Sequence, residues 1–300
     1  MRFISKKLVV AIIVIAALGG VIIFASLRSK PPQTKPVENP KSLVSYKVIG
    51  TSVEGRKIES YTYLPSQQTN TNGKKLLVFV GGIHGGYEWN SVLLAYQFMD
   101  YLDKNPNLIP DNLTVTVIPS ANPDGVYAVT GKNGRFAVTD VSTSSKILAS
   151  GRFNANDVDL NRNFDCKWKP KSMWQSKTVS AGKEAFSEPE TLAIKNFVLE
   201  NNPDAVIFWH SQSNAVYASE CKAGILPETL DIMNAYSRAS GYPAVKSFNA
   251  YAITGDAEGW LASINIPAIT VELKTRDTIE WERNLAGVKA LFGYYSPKNN

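Results

Sequence analysis

Short apolar runs alternate with helix-length segments along most of the chain, and this alternation restricts the fold more than any other feature. Strands are expected at residues 46–49, 58–63, 76–80, 113–118, 205–209 and 268–273, and helices at 91–102, 189–201, 228–240 and 278–294. Runs such as Leu76-Leu77-Val78-Phe79-Val80 lack the polar alternation of a sheet with one face in water, so helices must cover both faces. The expected fold is a single α/β domain over residues 45–296, with a mixed, mostly parallel twisted sheet flanked by helices. The first two strands should pair antiparallel because only residues 50–57 join them, with Gly55 free to take a positive φ in the turn. Ser187 with Glu190, and Asp277 with Glu280, read as capping boxes opening two of the helices. Residues 126–185 have weak periodicity and many Gly, Ser, Asn and Lys; so long an irregular stretch in a compact domain usually builds a site.

The amino terminus is of another kind. Residues 8–27 carry no charge and match the length of one bilayer span, about 20 residues. Arg2, Lys6 and Lys7 precede them in a basic region of residues 1–7, and Phe24-Ala25-Ser26 is a poor cleavage site, so an uncleaved transmembrane signal-anchor is expected. Residues 28–44 follow with Pro31, Pro32, Pro36 and Pro40, an extended spacer reaching on the order of 40 Å. This reading makes the protein single-pass in the membrane, with its globular part outside the cytoplasm. The net charge of +6 resides wholly in residues 1–44, which hold seven Lys/Arg and one Glu; the other 25 basic and 25 acidic residues cancel. The basic balance therefore reports the anchor, and nucleic acid is excluded as an expected partner.

The chain has two histidines, and each follows a strand-like run. His84 lies in Gly81-Gly82-Ile83-His84-Gly85-Gly86-Tyr87-Glu88, and His210 ends Ala205-Val206-Ile207-Phe208-Trp209-His210. Both imidazoles should emerge at carboxyl ends of strands, where open α/β sheets build their sites. Two His and one Glu leave a fourth zinc position open, which is the catalytic rather than the structural pattern. No Gly-x-Ser-x-Gly elbow supports a serine hydrolase. Arg162, set among the amides of residues 154–163, looks like a prepared anion site.

Five blocks in order resemble the zinc metallocarboxypeptidase family, of carboxypeptidase A/B and N/E type, over roughly residues 46–295. They are His84…Glu88; Ile118-Pro119-Ser120-Ala121-Asn122-Pro123-Asp124-Gly125; Gly151-Arg152 through Asn161-Arg162-Asn163-Phe164; Phe208-Trp209-His210-Ser211; and Ile269-Thr270-Val271-Glu272-Leu273. The resemblance implies that His84, Glu88 and His210 hold one zinc ion and that Glu272 is the general base on the attacking water. It further implies that Arg152 stabilises the oxyanion, that Asn161 and Arg162 receive the terminal carboxylate of a peptide, and that Tyr251 closes over it. One departure stands out: the family spaces its first two ligands His-x-x-Glu, whereas here three residues separate His84 from Glu88. Asp256 lies where the family lines its specificity pocket; it would read a basic residue or the amine of a diamino acid, or else merely cap a short helix.

Cys166 and Cys221 are the only cysteines, and both sit on segments expected to converge on the site. A disulfide between them is expected, with two separately buried thiols as the alternative. The function expected is that of a membrane-anchored monomeric zinc carboxypeptidase acting on peptides with a free C-terminal carboxylate, including cell-wall stem peptides. An amidase or deacylase on the same fold, and a non-catalytic peptide-binding domain with a degenerate metal site, are the alternatives.

Overall fold

A computed structural model of the protein describes residues 43–66 and 74–297. The expected signal-anchor at 8–27 and nearly all of the spacer lie outside these residues. Among those described, no helix is long and apolar enough to cross a membrane. In chain order the elements are β1 (Val44–Thr51), β2 (Lys57–Tyr63), β3 (Lys75–Val80), α1 (Trp89–Lys104), β4 (Leu113–Ile118), α2 (Pro123–Thr130) and α3 (Ser145–Ser150). There follow β5 (Lys171–Trp174), β6 (Lys177–Ser180), α4 (Pro189–Asn201), β7 (Ala205–Ser211), β8 (Ala215–Ala218), α5 (Pro227–Ser240) and β9 (Ala244–Val245). The last three are α6 (Ala257–Ser263), β10 (Ala268–Leu273) and α7 (Trp281–Tyr295).

Eight strands form one sheet in the order β1-β2-β4-β3-β7-β10-β8-β9. The four at its centre, β4, β3, β7 and β10, run parallel, while β1/β2, β2/β4 and β10/β8 are antiparallel. Gly55 takes the positive φ, +77°, that the β1–β2 turn requires. Alternate residues of β3 feed opposite cores. Leu77 and Phe79 join Leu94, Phe98, Trp209 and Phe292 on one face, and Val78 and Val80 join Ile194, Phe197, Phe208 and Trp260 on the other. Burial on both faces explains why these runs carry no polar alternation. From β3 the chain crosses to β4 on one side and later returns to β7 on the other. The β3/β7 boundary is therefore a switch point, with a crevice at the strands' carboxyl ends.

Three expectations need correction. Ser187 does not cap α4: its N-cap is Glu188, without a side-chain cap of its own. Asn163 does that work from a distance, its Oδ1 accepting from Glu188 N at 3.1 Å and Thr191 Oγ1 at 2.6 Å, while Glu190 accepts from Val53 N and Asn154 Nδ2. Nor do Asp277 and Glu280 form a box. Glu280 is itself the N-cap of α7 in the left-handed region, and its carboxylate accepts from Lys274 N, Tyr242 Oη and Arg283 Nη1. The stretch 126–185 is less irregular than its composition suggests, since α2, α3 and the β5/β6 hairpin occupy part of it. Elements this short leave little periodic signal.

Candidate metal centre

His84 leaves β3 through Gly81-Gly82 and opens a 3-10 turn, Gly85–Glu88, which swings Glu88 back beside it. Gly85 holds φ +47°, and a Cβ there would stand 2.4 Å from Gly151 O. A Cβ on Gly86 would meet Val129 at 2.5 Å. The two glycines let the turn lie against α2 and Gly151, and the extra residue between His84 and Glu88 is absorbed in that turn.

Ligand atoms of His84, Glu88 and His210 all lie within 4.8 Å of one another, and all three side chains are buried. Glu88 Oε2 stands 3.0 Å from His210 Nδ1 and accepts from Ser211 N at 3.1 Å. Two imidazoles and one carboxylate are the donor set that a catalytic zinc takes. Donor spacings of about 3–5 Å suit bonds of about 2.0–2.2 Å to one small cation, so the residues present fit a zinc ion.

Carboxylates back both rings. Asp159, fully buried, has Oδ1 3.5 Å from His84 Nδ1 and takes Arg152 Nε on Oδ2 at 2.9 Å. Glu258 Oε1 is 3.2 Å from His210 Nε2; the pair is in ion-pair reach although Nε2 makes no aligned hydrogen bond. Burial, and next the Arg152 charge, hold the His84 pKa well below the usual histidine value. Burial acts the same way on His210, but Glu88 and Glu258 outweigh it and raise that pKa well above the usual value. The negative charge facing His210 is what a bound cation would balance.

Glu272 is register-paired with His210 across the parallel β7/β10 ladder, so it ends its strand beside the second histidine. Its Oε2 accepts from Ser213 N at 3.1 Å. Burial, and then the neighbouring Glu88, push its pKa up to about 7. Arg152 Nη1 is 3.8 Å from Glu88 Oε1, and its guanidinium lies over Trp174 at 4.7 Å. Asn161 and Arg162 sit in a short 3-10 turn, Leu160–Arg162. Asn161 Oδ1 accepts from Ala257 N at 2.8 Å; Arg162 donates to Met173 O from Nε at 3.0 Å and to Asn161 O from Nη1. Asp256 is the N-cap of α6, accepting from Gly259 N at 2.7 Å, and it also faces the cavity, where burial and then Glu258 push its pKa up to about 6. Both readings of Asp256 therefore keep a structural basis. Tyr251 lines the same cavity, its ring 4.8 Å from that of Phe248.

Apart from Asp159, which lies behind His84, these side chains line one cavity of about 480 Å³. Cys166 and Cys221 form a disulfide with Cα atoms 6.1 Å apart, clamping its Asn161–Cys166 wall to the segment after β8. Every site residue expected from the sequence thus reaches the cavity or its disulfide clamp. Asp159 and Glu258 were not singled out. Asp159 is one among several Asn and Asp in its run, and nothing local to Glu258 points to His210.

The family model described as zinc carboxypeptidase (peptidase M14) matches residues 35–298. The γ-D-glutamyl-L-diamino acid endopeptidase 1 of Lysinibacillus sphaericus is 26% identical over 222 residues, 67% of this chain and 55% of that protein. Carboxypeptidase M of Mus musculus is 27% identical over 171 residues, 55% of this chain and 34% of that protein. The chain thus spans about half or less of the length of these relatives. Among solved structures, the murein-tripeptide amidase MpaA from Escherichia coli O157 superposes with a TM-score of 0.60 at 21% identity, over 90% of this chain and 98% of that one.

Proposed function

Because the chain belongs to the zinc carboxypeptidase family of metallopeptidases, we propose that it hydrolyses an amide bond in short peptides whose leaving side carries a free carboxylate, with cell-wall stem peptides as the substrate class. The observation that carries this reading is the buried His84, Glu88 and His210 triad sharing one cavity with Glu272, Arg152 and Arg162. In this reading the triad holds one zinc ion, which supplies Lewis acidity and lowers the pKa of a water toward about 7. Glu272 takes a proton from the attacking water and returns it to the leaving nitrogen; its pKa, raised toward 7, suits both directions of transfer. Arg152, held by Asp159, faces the charge that develops on the carbonyl oxygen. Asn161 and the forked guanidinium of Arg162 receive the substrate carboxylate, and Tyr251 closes the mouth. Asp256 takes the side-chain amine of a diamino acid. The anchor at residues 8–27 keeps the domain at the outer face of the membrane, where the Cys166–Cys221 bond persists and stem peptides are found.

The name of one similar protein, the γ-D-glutamyl-L-diamino acid endopeptidase 1 of Lysinibacillus sphaericus, favours a second form of the same chemistry, cleavage of the bond between a γ-glutamyl carboxyl and a diamino acid rather than of an ordinary α-peptide bond. The deciding assay uses zinc-loaded full-length protein with peptides ending in a free acid or an amide. Hydrolysis of free acids, abolished by exhaustive chelation and restored by zinc, is expected. Full activity after chelation, or equal cleavage of amidated peptides, would sink this reading.

A further inference from the structure

Three arginines line the cavity, and they differ in how their charge is met. Arg152 is ion-paired with Asp159 and Glu88. Arg162 donates to the backbone carbonyls of Asn161 and Met173. Arg276, in the loop between β10 and α7, donates from Nη2 to Tyr87 Oη at 2.6 Å, and its guanidinium carbon sits 3.7 Å from the centre of the Tyr87 ring. Its Nε is buried without a hydrogen-bond partner. Among the described residues, no carboxylate stands within 4.0 Å of the Arg162 or Arg276 guanidinium; Arg56, Arg135 and Arg283 each have one, and Arg238, which has none, is exposed to water.

The loop carrying Arg276 is fixed. Asn90 Nδ2 donates to Thr275 O at 2.8 Å and to Thr278 O at 2.9 Å, while Asn90 Oδ1 accepts from Ser211 Oγ at 2.9 Å, one residue beyond His210. A stacked guanidinium that lines the cavity, on a loop held by Asn90, is prepared for a planar anion. Arg162 is tied to β5 and Arg276 to Tyr87 in the turn of Glu88, so the two guanidinia are held by different partners. A substrate with two carboxylates would neutralise both.

We infer that Arg276, oriented by Tyr87, binds a carboxylate on the acyl side of the scissile bond and so selects γ-linked glutamyl substrates. This rests on the function proposed above, in which Arg162 takes the leaving-side carboxylate. The chemistry is specific. In an α-linked peptide the acyl residue's α-carboxyl is consumed in the scissile bond, and a carboxylate remains there only if the side chain is acidic. A γ-linked glutamate keeps its α-carboxylate free, a few bonds from the carbonyl under attack.

The test compares full-length zinc-loaded wild type with Arg276→Gln on a γ-D-glutamyl-L-lysine peptide, on the same peptide with the glutamyl α-carboxyl amidated, and on an α-linked peptide. In wild type, amidation should lower kcat/KM about ten- to hundredfold, the scale of a charge-assisted hydrogen bond. Arg276→Gln should lose about that factor on the free acid, mostly through KM, and change the amidated peptide less than about threefold. Arg276→Lys should recover part of the loss, and zinc content and thermal midpoint should match wild type. Equal losses on both γ-linked peptides, no loss at all, or an effect that follows amidation of the lysine carboxyl instead would overturn the inference. Wild-type cleavage of α-linked peptides alone would overturn it while leaving the proposed function standing. Zinc-loaded protein that cleaves none of the three would take down both.

Discussion

Glu258 Oε1 stands 3.2 Å from His210 Nε2, so the second histidine lies between two carboxylates, with Glu88 at its Nδ1. Glu258 is itself held by Thr270 Oγ1 at 3.0 Å and Asn161 Nδ2 at 3.3 Å. Such a carboxylate fixes the ring's orientation and raises its basicity as a ligand. Glu258→Gln should therefore weaken zinc binding about 10- to 100-fold with the fold intact. Competition against a chromophoric chelator measures it, and an unchanged affinity would count against the pairing.

Gly85 carries the turn that absorbs the extra residue before Glu88. Gly85→Ala adds a Cβ 2.4 Å from Gly151 O at a φ of +47° and should cost at least about 2 kcal/mol, together with zinc affinity. Gly131→Ala is the control: its φ is also positive, +65°, but nothing lies within 4 Å of the added carbon. It should cost only about 1 kcal/mol and leave zinc unchanged. Urea titration of both variants separates crowding from strain.

Glu272 must be charged to accept a proton, and burial followed by Glu88 raises its pKa to about 7. A raised carboxylate stays protonated through mild acid, so kcat/KM should rise with pH along an acid limb. A cation at the triad favours the charged form, which puts the midpoint between the ordinary value of 4.5 and about 7. Glu272→Gln should keep its zinc, lose on the order of a thousandfold or more in kcat, and lose that limb. An unchanged limb in the variant would assign the titration to another group.

The disulfide closes a loop with a sequence separation of 55 residues, for which the chain-entropy model gives about 4 kcal/mol. A Cys166→Ser, Cys221→Ser double variant should lose about 2–4 kcal/mol of stability by denaturant titration. Because the clamp holds the Asn161–Cys166 wall, KM should rise more than kcat falls. Unaltered stability would mean that the other contacts of that wall, such as Phe164 N to Gly255 O at 2.8 Å, suffice alone.

The central strands and long helices were legible because they are locally determined. β4, α4 and β10 begin and end where the apolar runs and the Pro189 start put them. His84 and His210 were legible because a parallel sheet delivers strand ends to one edge, whatever the loops do. The caps expected at Ser187 and Asp277 were misread because the partners there come from other segments. Asn163 caps α4 from another segment, and Glu280 turns toward Lys274, Tyr242 and Arg283.

What the sequence alone determined is thus the first four strands and the two central strands β7 and β10, the ligand types and their order along the chain. Hydrophobic periodicity and residue chemistry are properties of short stretches, and each stretch carries them wherever it ends up. Only the tertiary structure decided that Asp159 backs His84, that Glu258 backs His210, and that Arg276 lines the cavity with no carboxylate within 4.0 Å among the described residues. Those pairings join residues far apart in the chain, with no local pattern to announce them. They follow from which loops the folded sheet brings together, and from burial that makes an unmatched charge costly enough to matter.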